Sequence, residues 1–490
     1  MGDLQHMNKS GAPATEKIAH RRVPLASLRV ITFIIAAGAL TGFQLFKPTK
    51  RVIEAIVGFI LLLVLWNLSG FYALLFFIIA YPFPFALSLG NSDFIFILII
   101  FMVSLMRTQA GLVKLRSSKM LNIPITLMVL SFFTSFYNVD FAAGEFRLNF
   151  ISTFPFLTAV MFFYLCLSYI DSEERMKKVL TAVVISAAFV SLFTLFELLF
   201  PGRVLVPNWL YTHHRAVLIV KGLRMGGPFL DYELLSEFFA LNIPLIFLCF
   251  VRSKKLSGRV VYALLLFADL FLMFSTITRG GVIILIMGFI YMAFISRRDL
   301  NFIRLVAFTA ILVFLMASID AFIARYTTSG STFARLFAST FKRGVIPENR
   351  YAIWSRGISM GLETPFLGHG PAWDYIRGVT IRLIPHNIFM YLFDLTGLFG
   401  LSAFVFFLYR LVKMSVGSIG ASLASSPFPQ ALLKMLHVCL VMFILDQMKV
   451  EYLRNNIYTY FVCLLFGLIA ATHSIIQQNA REQAFPAPSP

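Results

Sequence analysis

Apolar runs recur along almost the whole chain, and short clusters of charged residues, glycine and proline separate them. A helix that crosses a bilayer needs about 20 mostly apolar residues. The runs at 30–46, 52–68, 71–89, 94–106, 121–137, 150–170, 179–200, 234–251, 260–276, 281–295, 303–323, 388–412, 432–445 and 457–472 fit that pattern. Several fall short of a full crossing, so roughly twelve to fourteen spans are predicted, in an all-α, polytopic membrane protein. Only 201–228 and 325–386 interrupt the pattern at length, and neither is long or polar enough for a second domain. The expected organisation is a basic tail at 1–29, a membrane domain at 30–476 and a polar, proline-rich, disordered tail at 477–490.

Composition strengthens this reading. The chain is 59% hydrophobic and 13% charged, with a mean hydropathy of +0.82. Soluble domains are near half apolar and a quarter charged, so a soluble domain with a large core is excluded. The tail at 1–29 lacks a cleavage signature and is predicted to precede an uncleaved first helix. The four cysteines, Cys166, Cys249, Cys439 and Cys463, lie in apolar runs at neither metal nor disulfide spacing. They are expected to pack as small apolar side chains.

Charge gives an orientation. Basic residues cluster at 1–29, 107–119, 252–259 and 297–304, which fall on one side if the helices alternate. By the positive-inside rule that side is cytoplasmic, with both termini on it. The basic loop at 47–51 is an exception. The two long loops then face outward, where Lys and Arg should be scarce. Instead, 325–386 carries eight basic residues against three acids, and 201–228 carries four against none. Contact with anionic headgroups accounts for some of these, Arg325, Arg335 and Arg382 among them. The other reading is an anionic substrate reached from the outer face, since a guanidinium grips two phosphate oxygens and keeps its charge.

Two residues stand out as candidate chemistry. His386 sits where the basic loop meets an apolar helix, a poor place for an unused imidazole. Arg279, in Ser275-Thr276-Ile277-Thr278-Arg279-Gly280-Gly281, lies in a turn so short that it is fixed at the membrane boundary. Snorkelling to headgroups would explain it alone. The neighbouring glycines allow a bulky group close to the backbone.

Three motifs, in order, resemble the O-antigen ligase/polymerase superfamily. The first is Arg224-Met225-Gly226-Gly227-Pro228-Phe229, and the second is the Ser275–Gly280 turn. The third comprises Arg350-Tyr351-Ala352-Ile353-Trp354, Pro365-Phe366-Leu367-Gly368-His369-Gly370, His386-Asn387 and Gly397-Leu398-Phe399-Gly400. Two positions depart from the pattern. Asp231 stands where an asparagine is usual, and Asp394 is displaced by one from the usual acid, which Leu395 replaces.

The resemblance implies a GT-C-like membrane glycosyltransferase in the bacterial inner membrane, with a helical or irregular periplasmic loop and its active site facing the periplasm. The implied donor is a glycan on undecaprenyl diphosphate. The implied acceptor is lipid A–core for a ligase, or another lipid-linked glycan for a polymerase. His386 would be the general base, Arg224 and Arg279 would hold the diphosphate, and Arg350, Asn387 and Asp231 would support them. No metal, cofactor or nucleic acid enters this scheme; membrane lipids are the remaining partners. The chemistry is consistent, since imidazole titrates near neutrality and fixed arginines stabilise a departing diphosphate. The sequence has no HExxH, acidic metal cluster or phosphate loop.

The competing class is a flippase or transporter of lipid-linked oligosaccharides. That function calls for related halves and midplane charges, whereas this chain shows no internal repeat and its notable charges gather on one face. A non-catalytic scaffold leaves His386 and Arg279 without a role. His369 is expected to be a loop residue, and His213 and His214 surface residues. Glu233 and Glu237 share a helix face and, with Asp231, would orient Arg224 or cap a helix. Glu197, Asp269 and Asp320 are intramembrane suspects by default, with pairing to a lysine or arginine as the alternative.

Overall fold

The computed structural model describes residues 69–83, 93–111, 113–141, 144–200, 225–229, 231–276, 278–296, parts of 314–325, 348–373, 385–420 and 427–484. The spans expected at 30–46 and 52–68, most of 303–323, and the tail at 1–29 lie outside them, as does Arg224.

Among the described residues the regular structure is helical, without strands. The helices are α1 (Gly70–Ala80), α2 (Asp93–Gln109), α3 (Asn122–Thr134), α4 (Glu145–Tyr169), α5 (Glu173–Leu199) and α6 (Tyr232–Arg252). They continue with α7 (Leu256–Ser275), α8 (Arg279–Ser296), α9 (Glu348–Gly361), α10 (Ile388–Gly420), α11 (Pro427–Asp446) and α12 (Asn456–Ala484). Of these, α4, α5, α6, α7, α10, α11 and α12 are long and apolar enough to cross a membrane, and α1, α2 and α8 are shorter apolar helices. The chain is an all-α polytopic membrane protein.

Two expected spans are shorter than their apolar runs. In the described part of the run at 71–89, residues 71–83, the helix ends at Ala80, where Pro82 has no N–H to continue the backbone ladder. The run at 121–137 ends its α-helix at Thr134 and closes in a 3-10 turn, Ser135–Asn138. Pro155 in the interior of α4 and Pro244 in the interior of α6 are tolerated.

The core forms around α12, which packs against α4, α10 and α11, while α6 packs against α7, α8 and α11. In α12, 89% of the apolar window is buried, against 22% in α7. An apolar helix that leaves Val261, Leu264 and Phe267 exposed has its outer face toward lipid. Aromatic rings fill the interior, as where Phe77 meets Phe162 and Tyr460 edge-on.

Short connections make neighbouring spans antiparallel, so their ends sort into two groups. At one end Arg252 donates to the Pro427 carbonyl at 2.5 Å. The start of α5 there is fixed by Ser172, which accepts from the Arg175 N–H, and by the pairs Lys177–Glu173 and Lys178–Glu174. The opposite end gathers the starts of α6, α8, α10 and α12 with the ends of α5, α7 and α11. The candidate residues lie at this second end.

Candidate functional site

The site is a meeting of loops, with the connection 447–455 between α11 and α12 at its centre. Gly227, at φ 53°, donates its N–H to Glu197 at 3.0 Å. Asn455 donates to the Phe229 carbonyl at 2.8 Å, which ties the first motif to that connection. Asp231 caps α6 by accepting from the Glu233 and Leu234 N–H groups at 2.8 and 3.2 Å. The Thr278 hydroxyl donates to the Tyr232 carbonyl at 3.2 Å, so the second motif joins the same group. Asn387 caps α10 by accepting from the Phe389 and Met390 N–H groups, and its own amide donates to the Met448 carbonyl at 3.0 Å. Ile388 N–H reaches the Gln447 carbonyl at the same distance.

The glycines of the second motif make this meeting possible. A Cβ on Gly280 would lie 1.7 Å from the Lys449 ammonium, and one on Gly281 would lie 2.0 Å from the Ser236 hydroxyl. The close approach anticipated beside Arg279 is made by Lys449 and α6.

Arg454 is the electrostatic centre. Its Nη2 lies 3.0 Å from both Asp231 and Glu233, and its Nη1 lies 3.4 Å from Glu451. Burial disfavours the charged guanidinium, but the three carboxylates, Asp231 foremost, outweigh it and hold the pKa above arginine's ordinary value. Behind this group Gln447 donates to Glu237 at 3.0 Å, and Lys449 pairs with Asp446 at 2.5 Å. Arg454 with its three carboxylates sums to −2, so Arg454 is committed to the protein's own acids.

His386 completes the cluster. It has φ 47°, and no other non-glycine among the described residues has positive φ. Strained backbone of this kind persists only where its surroundings hold it, and it concentrates at functional sites. Its Nδ1 accepts from Arg454 Nη1 at 3.1 Å, since a guanidinium can only donate. In the neutral ring the proton therefore sits on Nε2. Glu451 Oε2 is 3.6 Å from the same Nδ1, and the Glu451 side chain is fully buried while that of His386 is 21% exposed.

The structure brings together Asp231, Arg279, His386 and Asn387. Arg279 is half-buried at the first position of α8. Arg350 lies in α9, with its side chain outside the described residues. The sequence reading missed Glu451 and Arg454. Their signal was a short connection between two apolar spans that carries acids and bases in balance: Asp446, Lys449, Glu451 and Arg454.

The remaining motif residues build a joint. Gly397, at φ 65° and ψ −166°, breaks α10 into two helical segments. The Pro365–Gly370 loop docks on that break, with Leu398 N–H on the Pro365 carbonyl and His369 N–H on the Asp394 carbonyl, at 2.8 and 2.9 Å. His369 Nε2 donates to the Met360 carbonyl, in keeping with a structural loop residue. The Asp394 carboxylate is fully buried against Gly357 and Gly361 of α9. Of the other intramembrane acids, Asp269 meets Ser191 and Glu197 meets the Gly227 N–H, so neither of these contacts is an ion pair.

Residues 239–405 match the model of a family described as O-antigen ligase. No curated protein matches the chain. The matched stretch includes Arg279, Arg350, His386 and Asn387, whereas Asp231, Glu451 and Arg454 fall on either side of it.

Proposed function

We propose a metal-independent glycan transfer on the outer face of the bacterial inner membrane, a reading that the match of residues 239–405 to the O-antigen ligase family supports. The donor is a glycan on undecaprenyl diphosphate, and the acceptor is a hydroxyl of lipid A–core. His386 is the general base that takes the hydroxyl proton. Arg279 and Arg224 stabilise the diphosphate as it leaves with the electron pair of the anomeric bond.

One observation carries this reading: His386, the Arg279 turn and Asp231 come from distant parts of the sequence and meet at one polar end of the bundle. Charge supports the division of labour. The three carboxylates around Arg454 would repel a diphosphate, so the leaving group belongs with Arg279 and Arg224. Repeat-unit polymerisation uses the same chemistry with a lipid-linked acceptor.

The test replaces Arg279 with lysine, which keeps the charge but loses the two-toothed grip. Arg279→Lys is expected to reduce transfer by about 10–100-fold at normal protein level, the worth of one charge-assisted hydrogen bond. Arg335→Lys is the control and should be nearly silent. Glycan on lipid A–core and elongated chains on the carrier are scored separately: loss of the first marks a ligase, and loss of the second a polymerase. Full activity of Arg279→Lys in both readouts would remove the diphosphate role.

A further inference from the structure

The geometry at Nδ1 poses a chemical problem for His386. A general base must present a lone pair to the hydroxyl it deprotonates. With Arg454 donating to Nδ1 at 3.1 Å, the neutral ring carries its proton on Nε2, the nitrogen that is left for substrate. The ring must change tautomer before it can act, and the new Nδ1 proton then needs an acceptor.

Glu451 supplies one. Its side chain is fully buried, and its Oε2 has no hydrogen-bond partner among the described residues. A buried carboxylate oxygen without a donor is costly and calls for an explanation. That oxygen is 3.6 Å from His386 Nδ1, so closure to a hydrogen bond of about 2.8 Å is a shift of under an ångström. The other oxygen, Oε1, is 3.4 Å from the same Arg454 Nη1 that now holds the ring. Nη1 thus lies between two acceptors and can settle on Glu451 as the ring lets go.

We propose that Glu451 is the positioning residue of His386: its Oε2 accepts the Nδ1 proton and aims the Nε2 lone pair at the acceptor hydroxyl, while Arg454 holds the opposite tautomer at rest. The proposal rests on His386 being the base. The tautomer changes by exchange with water, which the partly exposed ring allows. In the transfer step Nε2 takes the hydroxyl proton and the acceptor oxygen bonds to the anomeric carbon. The bond from that carbon to the diphosphate oxygen breaks, and its electron pair leaves with the diphosphate. The imidazolium stays hydrogen-bonded to Glu451 and then returns its proton to water or to the departed diphosphate. The other charges around the ring are Asp231 and Glu233, both held by Arg454, and Lys449, paired with Asp446.

The test is a double-mutant cycle on the full chain in proteoliposomes. The donor is a lipid extract of undecaprenyl-diphosphate-linked glycan, and the acceptor is lipid A–core. Glu451→Gln keeps the volume and removes the charge. It is expected to lower kcat about 100-fold with the donor KM unchanged, and Glu451→Asp should recover part of the loss. In a His386→Ala background, itself about 10²–10⁴-fold slower, Glu451→Gln should have no further effect, because it acts only through the ring. An equal loss from Glu451→Gln in both backgrounds, or a near-normal single variant, would overturn the positioning role while the base stands. Near-normal transfer by His386→Ala at normal protein level would overturn the base itself, and the positioning role with it.

Discussion

The cluster around Arg454 and the joint at Gly397 lie at the same end of the bundle, yet they are held together by opposite means. The cluster joins side chains: a guanidinium, three carboxylates and an imidazole from three separate segments. The joint is backbone against backbone, with side chains removed so that carbonyls and amides can meet. One arrangement depends on charge and the other on the absence of a Cβ. A motif that contains histidine and glycine therefore marks chemistry in one place and architecture in another. His386 and His369 show the difference, since one faces an ionic cluster and the other bonds a helix carbonyl.

Removal of the cation should break this contrast most severely. Arg454→Met removes the cation shared by Asp231, Glu233 and the fully buried Glu451, and the loss of one partner from a buried ionic group costs about 3–5 kcal/mol. A large fall in the midpoint of thermal unfolding is expected in detergent, with loss of accumulation in cells. A variant as stable as the parent would mean that charge does not hold the cluster together.

The joint should respond to volume. Gly397→Ala forces a side chain into a backbone region reserved for glycine, a penalty of about 1–3 kcal/mol before any clash. Its Cβ would also lie 2.3 Å from the Phe366 carbonyl group. Stability should fall while transfer per folded molecule holds, as measured by activity normalised to the monodisperse fraction. Loss of transfer in fully folded Gly397→Ala would put the joint inside the chemistry.

His369→Ala should have the smallest effect. It removes one hydrogen bond to the Met360 carbonyl, worth about 1 kcal/mol. Its transfer should match the parent's, in contrast with His386→Ala. A comparable loss from both histidines would erase the distinction between joint and cluster.

Much of the fold was legible because bilayer thickness imposes a length on apolar runs. The pattern located α4 to α8 and α10 to α12. It ran past Ala80 because apolar composition continues through Pro82, which lacks the N–H that a helix needs. In the site, His386 and Arg279 were legible because each is a polar residue at a membrane boundary. Arg454 and Glu451 were not, because an excess of charge is what marks a loop, and the stretch 446–455 hides its charges by balancing two acids with two bases. The acids on α6 were noticed, but their partner lies 221 to 223 residues away, beyond any helical spacing rule.

That separation has a consequence for biosynthesis. Asp231 leaves the ribosome 223 residues before Arg454. At 5–20 residues per second, the interval is about 10–45 s. Throughout it α6 stands in the membrane with Asp231 and Glu233 at its head and without the guanidinium they share. Those acids reach their shared pairing only when the α11–α12 hairpin brings Arg454 to them. The site end is thus completed only when the last helices are in place, and the base gains its partners in the final step of assembly.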